Sequence, residues 1–502
     1  MVAGDPGTVA VVGAGPTGLT LAAELALSGV PCEVLERRPG LRADSRAICL
    51  HARSMEALDL RGQASRFVAV GLRCRSFPLG LRGAAIDFSR LDSDFPYILD
   101  VPQSTIEELL ASRAAELGAK IRWSAEVTGV EQDSREVRLR MADGKVTRAS
   151  YVVACDGIRS FVRQALDIPF PGFPNPGSVT LADLYLDGLP MTDAYGDLTE
   201  RGMLLVFPFR DGSCRVVLYD YARADVPVSE PVTVDEVRDG LRRVTGQDFG
   251  PRDLYWSSRY RSESRQAPVY RRGRVLLAGD AAHTHSPAGA QGMNTGLQDA
   301  MNLGWKLGAV MAGWAPGRLL GSYHAERHPV GAAVLSLTGR QFRLNTARTP
   351  SMKALRWLAH RAVAPLPPVQ SWLAKNYSGV AIRYPPDGAP AHGLAGARLP
   401  RGVLTLADGS RVRLYDLFHD GRFVLLRRAA GGGEAGGVAR AGCDDFPAHV
   451  KTVTHKGCSP GRLPPAMLIR PDGYVAWASE ERDTAALAAA SRDAVRRWCE
   501  PT

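Results

Sequence analysis

Three short stretches, far apart in the chain, combine glycines and acids at spacings that define chemistry. The first is Gly13-Ala14-Gly15-Pro16-Thr17-Gly18. It follows the apolar run 9–12 and precedes a helical pattern with Leu19, Ala22, Ala23, Leu25 and Ala26 on one face. Gly29 ends that helix, and the run 32–35 reads as a second strand closing on Glu36. In such a strand–turn–helix–strand unit Gly13 permits the tight turn and Gly15 lets a pyrophosphate approach the backbone. Gly18 lets helix and strand pack closely. The helix start offers free N–H groups and a partial positive charge to phosphate, and Glu36 is placed to accept hydrogen bonds from ribose hydroxyls. The unit predicts a dinucleotide site without choosing the dinucleotide.

The second stretch, Cys155-Asp156-Gly157-Ile158-Arg159-Ser160 followed by Arg163, lies between a strand and a helix that Asp156 could cap. The third, 274–283, runs from strand through Gly279-Asp280 towards a helix. A carboxylate there suits the ribityl hydroxyls of a flavin, which a nicotinamide dinucleotide lacks. Taken together, the three stretches predict FAD.

These stretches need a scaffold of parallel strands, and the chain supplies one. The fold class expected is α/β: a Rossmann-like FAD-binding domain split over 1–178 and 275–385, with an inserted β-sheet substrate domain at 179–274. Within the insert, 203–209 and 215–219 read as strands joined by the turn Asp211-Gly212. Helices are expected at 104–117 and 293–311, and a hairpin at 127–141. The Pro- and Gly-rich stretch 384–390 reads as a linker to a C-terminal unit at 391–502, with a flexible tract at 431–437.

At this level the sequence resembles the class A flavin monooxygenases of the para-hydroxybenzoate hydroxylase fold. The fit is best to the aromatic polyketide hydroxylases and the related rifampicin monooxygenase. Beyond the three motifs, the matching stretches include Ser45-Arg46-Ala47, Val101-Pro102-Gln103, 289–294, 297–307 and 323–329. The resemblance implies Glu36 and Arg37 at the adenosine end of FAD, and Arg46, Gln103, Asp156 and Asp280 along the rest. It implies backbone N–H groups of Gly292, Met293 and Asn294 at the pyrimidine edge of the flavin, where a helix start stabilises negative charge. Arg46 and Pro287 are expected at the reacting centre. Arg215 and Tyr219, alternating on one strand, face either the substrate cavity or ordinary sheet packing. Relatives usually carry Pro-Pro-x-Gly-Gly-Gln-Gly where this chain has 286–292, so Ser286 and Ala290 depart from the pattern. The C-terminal unit should be thioredoxin-like, without the CxxC pair a redox role needs.

The implied reaction is hydroxylation of a fused-ring aromatic polyketide through a flavin hydroperoxide, with NADPH or NADH as transient reductant and O2 as co-substrate. The same fold also admits Baeyer–Villiger insertion, antibiotic inactivation, phenol degradation, a non-oxygenating reductase, or a flavin-binding scaffold. No acid–base dyad is required, so His283 and His285 are read as structural.

The net charge of +10 raises nucleic acid as a partner, but the basic stretch 259–274 accompanies no groove-reading motif and reads as a solvated surface. No cysteine or histidine spacing suggests a metal. No apolar stretch is long enough to span a membrane, and neither membrane nor nucleic acid is expected as a partner. Asp5 and the absence of Lys or Arg in 1–8 argue against a secretory signal, so a cytoplasmic location is expected. A small aromatic molecule is the expected partner, and a homodimer is admitted.

Overall fold

The structure, a computed structural model, describes residues 7–41, 47–189, 192–385, 392–429 and 446–500. Arg46, Cys443, residues 386–390 of the expected linker and the tract 431–437 lie outside the described residues. The helices used below are α1 (Pro16–Leu27), α2 (Ala52–Asp59), α3 (Gln103–Glu116), α4 (Val234–Thr245), α5 (Gln291–Met311), α6 (Gly321–Thr346), α7 (Pro350–Leu358), α8 (Pro367–Tyr377) and α9 (Thr484–Cys499).

The central sheet runs, in spatial order, Val275–Leu277, Tyr151–Ala154, Val9–Val12, Cys32–Leu35 and Lys120–Arg122, all parallel. An antiparallel strand, Arg271–Arg272, lies beside the first. The runs Val9–Val12, Tyr151–Ala154 and Val275–Leu277 are buried throughout, as expected of a sheet covered on both faces. Because the strands are parallel, the turns after Val12, Ala154 and Leu277 emerge at one edge, and these turns carry the three motifs.

The inserted sheet is antiparallel, in the order Tyr195–Leu198, Gly202–Pro208, Cys214–Asp220, Val179–Leu186 and Pro251–Tyr260. The expected turn is present: Gly212 has φ +85° and Asp211 accepts the Ser213 N–H at 3.0 Å. Period-two alternation sorts the faces. Leu184, Val216 and Leu218 pack with Val237, Leu241 and Val244 of α4, whereas Leu181, Phe207, Val217 and Tyr219 join the core of the FAD-binding part. Residues 215 and 219 therefore share the inner face.

In the C-terminal unit, Phe423–Arg428 and Val450–Ser459 pair in parallel, and Ala466–Ile469 and Val475–Ser479 continue the sheet antiparallel, with α9 packed against it. This is the strand pattern of a thioredoxin-like fold. Among the described residues no helix is long and apolar enough to cross a membrane, and no three His, Cys, Asp or Glu residues group as metal ligands.

One contact sets the geometry of the part that carries the three motifs. Along α5, Gly292, Gly296, Ala300, Gly304 and Gly308 recur at four-residue spacing and form a ridge of small side chains. A Cβ on Gly296 would lie 2.2 Å from Thr17 Oγ1, on Gly304 2.4 Å from Glu24 Cβ, and on Gly308 2.7 Å from Ser28 Cβ. Helices α1 and α5 thus meet almost backbone to backbone, which fixes the start of α5 against the first glycine turn. The chain enters α5 through two left-handed residues, Gly289 (φ +78°) and Ala290 (φ +50°).

Two substitutions of opposite sense test this seating. Gly304→Ala gains about 1 kcal/mol of helix propensity, but forcing a methyl against Glu24 costs more, for a net loss of about 1–3 kcal/mol in urea denaturation. Ala290→Gly relieves a left-handed backbone worth roughly 1–2 kcal/mol, offset by about 0.4–1 kcal/mol of unfolded-chain entropy. It should stabilise slightly in the same assay. A more stable Gly304→Ala protein would show that the helices are not in close contact.

Candidate active site

Each residue of the first turn has a distinct physical task. Gly13 has φ +105°, its N–H donates to Leu35 O at 2.8 Å, and a Cβ on it would meet Cys155 O at 2.5 Å. A Cβ on Gly18 would lie 2.0 Å from Gly13 O, so only glycine lets α1 leave the strand here. Gly15, the residue before α1, has nothing within 4 Å of a would-be Cβ. That open space lies over the helix start, where a pyrophosphate would lie.

Glu36 is buried. Its Oε2 accepts the Ala14 N–H at 2.7 Å, and its Oε1 accepts the backbone N–H and Nε–H of Arg38 at 3.0 and 2.9 Å. Burial pushes its carboxyl up, but Arg38 and the backbone N–H groups outweigh this and hold it below its usual range. Arg37 is exposed and takes no part in these contacts. Arg38 therefore orients Glu36, and Arg37 is left exposed beside it.

The other two turns converge on the same place. Ser160, not Asp156, is the N-cap of the short helix Phe161–Ala165, accepting the Arg163 N–H at 3.0 Å. Asp156 Oδ2 accepts the Val162 N–H at 3.2 Å, while its Oδ1 is buried with no hydrogen-bond partner among the described residues. Thr17 Oγ1 lies 2.6 Å from a would-be Cβ on Gly279, so this side chain sits between the first turn, the third turn and α5. Asp280 is exposed at the mouth, and its Oδ1 lies 3.9 Å from a would-be Cβ on Gly292. On the other side Gln103 Oε1 accepts the Ala47 N–H at 2.9 Å and its Nε2 donates to Glu107 at 2.8 Å. It thereby fixes the residue next to Arg46.

The start of α5 is held by side chains so that its backbone stays available. Asn294 Oδ1 accepts the His51 N–H at 2.8 Å, and its Nδ2 donates to Cys49 O and Ala290 O, each at 3.0 Å. Gln291 Nε2 donates to Tyr377 O at 2.9 Å. The first N–H groups of a helix have no carbonyl of their own helix to meet; in α5 this holds for Gly292 and Met293, whereas the Asn294 N–H comes four residues after the N-cap Ala290 and falls to its carbonyl. Pro287 is exposed one turn earlier. Burial lowers the pKa of His51 to about 4, and burial together with nearby His283 does the same for His285. Both are neutral imidazoles at physiological pH. His285 Nε2 is buried close to Gly292 with no hydrogen-bond partner among the described residues.

The inner face of the inserted sheet closes the opposite side. Arg215 is fully buried and bidentate with Asp183, its Nε and Nη2 each 2.5 Å from a carboxylate oxygen. The guanidinium lies 4.5 Å from the Trp256 ring centroid, and Nη1 donates to Ala47 O at 3.4 Å. Arg215 therefore ties the sheet to the chain at Ala47. Tyr219 donates its hydroxyl to Pro176 O at 2.9 Å and packs against Tyr221 and Phe342.

Sequence reading gave no role to Asp299 and Arg327. Asp299, on α5, accepts the Gly279 N–H at 3.1 Å and bonds His283 Nε2 at 2.7 Å, while Arg327 Nε donates to it at 2.6 Å. The available signal was the lone acid of α5, which has to find a partner if it is buried.

Orphaned polar atoms at Asp156 and His285, the space over Gly15 and the open helix start all fit a bound dinucleotide with a flavin ring. The chain matches the FAD binding domain family over residues 7–338 and the C-terminal domain family of aromatic-ring hydroxylases over 392–502. It is similar to rifampicin monooxygenase of Streptomyces venezuelae, 40% identical over 94% of this chain and 96% of that one. It is also similar to dialkyldecalin synthase of Streptomyces rugosporus, 35% identical over 94% and 95% of the two chains. Among solved structures it is similar to OxyS anhydrotetracycline hydroxylase from Streptomyces rimosus, with TM-score 0.84 and 39% identity over 98% and 99% of the two chains. The chain belongs to the family of FAD-binding aromatic-ring hydroxylases.

Proposed function

We propose that this protein is an FAD-dependent monooxygenase that uses NADPH or NADH and O2 to hydroxylate a fused-ring aromatic molecule of the polyketide class. The observation that carries the reading is the position of the α5 start. Asn294 there accepts the His51 N–H, the His51 ring lies 6.3 Å from Phe77, and Phe77 lies 5.5 Å from Phe207 on the inner face of the inserted sheet, so a flavin whose ring met this helix start would lie near that face.

Bound FAD supplies the electron transfer from NAD(P)H and the activation of O2. The chain's own residues do the positioning. Gly13, Gly15, Gly18 and Glu36 hold the adenosine and pyrophosphate part, with Gln103, Asp156 and Asp280 along the linker to the ring. The N–H groups of Gly292 and Met293 offer fixed partial positive charge at the ring edge. Arg46 and Pro287 are assigned to the reacting centre, and Ala47, next to Arg46 in sequence, is held by Gln103 and Arg215. Arg215 and Tyr219 support the sheet face from within, Arg215 through Asp183 and Trp256 and Tyr219 through Pro176. A phenolic ring brings its own electron density, so neutral His51 and His285 need supply no proton. The buried inner face excludes water and orients the ring.

A second reading comes from dialkyldecalin synthase, a relative whose name describes ring construction and not oxygenation. Incubation of the FAD-loaded protein with NADPH or NADH, heavy-oxygen-labelled O2 and probes of the anhydrotetracycline, angucycline and anthracycline types separates the two. Substrate-dependent NAD(P)H consumption with one labelled oxygen in the product is expected. Conversion that needs neither NAD(P)H nor O2 would overturn the monooxygenase reading in favour of ring construction.

A further inference from the structure

Between Glu326 and Asp387 the sequence has nine Lys and Arg and no Asp or Glu, against a net charge of +10 for the whole chain. The stretch from Arg327 to Arg383 is therefore strongly positive, although Arg327 is buried against Asp299 and Arg356 is buried as well. The same segment has an inverted pattern of burial. Arg356 and His360 are buried, whereas Leu355, Trp357, Leu358, Val363, Leu366 and Trp372 are 41–61% exposed. These are six of the fourteen exposed large hydrophobic side chains among the described residues, gathered within eighteen positions. A surface helix ordinarily shows the reverse order, and exposed apolar clusters of this kind mark interaction sites.

The segment is rigidly attached, so the exposure is not that of a loose tail. Arg356 Nη1 donates to Asn345 O at 2.8 Å, Gln370 bonds Asp87 N and Ala85 O at 3.0 and 2.9 Å, and Tyr377 donates to Gln341 at 2.7 Å. Arg340, Arg343, Arg348, Arg361 and Lys375 are exposed around the apolar cluster. The flanking acids are Glu200, paired with Lys353, and Asp87.

We propose that α7, α8 and the turn between them form a peripheral docking surface for an anionic lipid membrane. Two tryptophans and aliphatic side chains bordered by arginine and lysine are the composition of an interfacial segment that buries its apolar side chains at the headgroup level. No spanning helix is required. A two-fold contact centred on this patch would set arginine against arginine with no acid of the segment to answer it, which disfavours a second copy of the chain. Side chains half exposed over two helices and a turn project outward, whereas a docked peptide helix needs a groove. The segment also borders the site: Tyr377 packs against Gly289 and Phe342 against Tyr219. A membrane seated here would lie beside these contacts, whatever reaction the site performs.

The test is co-sedimentation of the FAD-loaded full chain with phosphatidylcholine vesicles, with and without phosphatidylglycerol, at low and high salt. Binding is expected to the mixed vesicles only, reversed by salt, with a blue shift of tryptophan fluorescence. The double variant W357E/W372E should lose at least about tenfold in partitioning while keeping its flavin content and circular dichroism spectrum. No sedimentation with mixed vesicles, or binding unchanged by W357E/W372E, would overturn the proposal. Concentration-dependent self-association abolished by W357E/W372E would assign the surface to a second copy instead. Tryptophan-dependent binding to soluble polyglutamate without vesicle binding would assign it to an acidic protein.

Discussion

The carboxylate of Asp299 is fully buried near the middle of α5, and three separate parts of the chain bind to it. The Gly279 N–H comes from the third cofactor turn, His283 from the strand that follows, and Arg327 from α6. Burial pushes this carboxyl up, but Arg327 and His283 hold it below its usual range, so it stays ionised. Arg327 in turn donates to Thr295 O at 3.1 Å and to the Tyr384 hydroxyl at 3.2 Å. A buried ion pair is weak evidence of net stability, but removing one partner leaves a buried charge uncompensated. That penalty makes the arrangement all-or-none: α5, the Gly279-Asp280 turn and α6 take up their places together.

A second buried charge set lies further along α5 and reaches the C-terminal unit. Glu326 bonds Lys306 Nζ at 2.8 Å and Arg470 at 2.7 and 2.9 Å, and Arg470 also pairs with Asp472. Burial would raise the Glu326 carboxyl, but Arg470 and Lys306 bring it down to about 2. Arg53 of α2 donates to Asp472 O at 2.7 Å, and Arg61 to Phe418 O at 3.0 Å. The C-terminal unit, which has no CxxC, thus braces the back of the flavin-binding part through charge-assisted bonds. One helix carries a cofactor-facing start, a central anion that locks the third turn, and a far end at the domain junction.

What was legible in the sequence was local. Gly13 and Gly18 are demanded by close approaches within one strand–turn–helix unit, and Glu36 closes the next strand, so their spacing could be read from the chain. The turn Asp211-Gly212 was visible for the same reason. What escaped was non-local or a matter of one residue. The Asp299–Arg327 pair joins two helices, and nothing at either position names its partner. The small-residue ridge of α5 was visible at 292, 296, 304 and 308, yet its meaning depends on α1 lying against it. The Arg38–Glu36 pair is set by a side chain that folds back over the strand end, which spacing does not reveal. The departure at Ala290 is now physical: the position adopts a left-handed conformation that glycine enters freely.

The central claim is that the Asp299 carboxylate organises the cofactor turns, and FAD affinity of two helix-charge variants tests it most directly. Asp299→Asn removes the anion that holds the Gly279 N–H, whereas Glu326→Gln removes a buried anion of the domain junction and leaves that contact intact. By titration of the apoprotein with FAD, Asp299→Asn should weaken binding at least about tenfold with helix content retained, consistent with loss of a charged hydrogen bond, while Glu326→Gln stays near the parent value. Equal weakening in both variants, or FAD affinity unchanged in Asp299→Asn, would contradict the account.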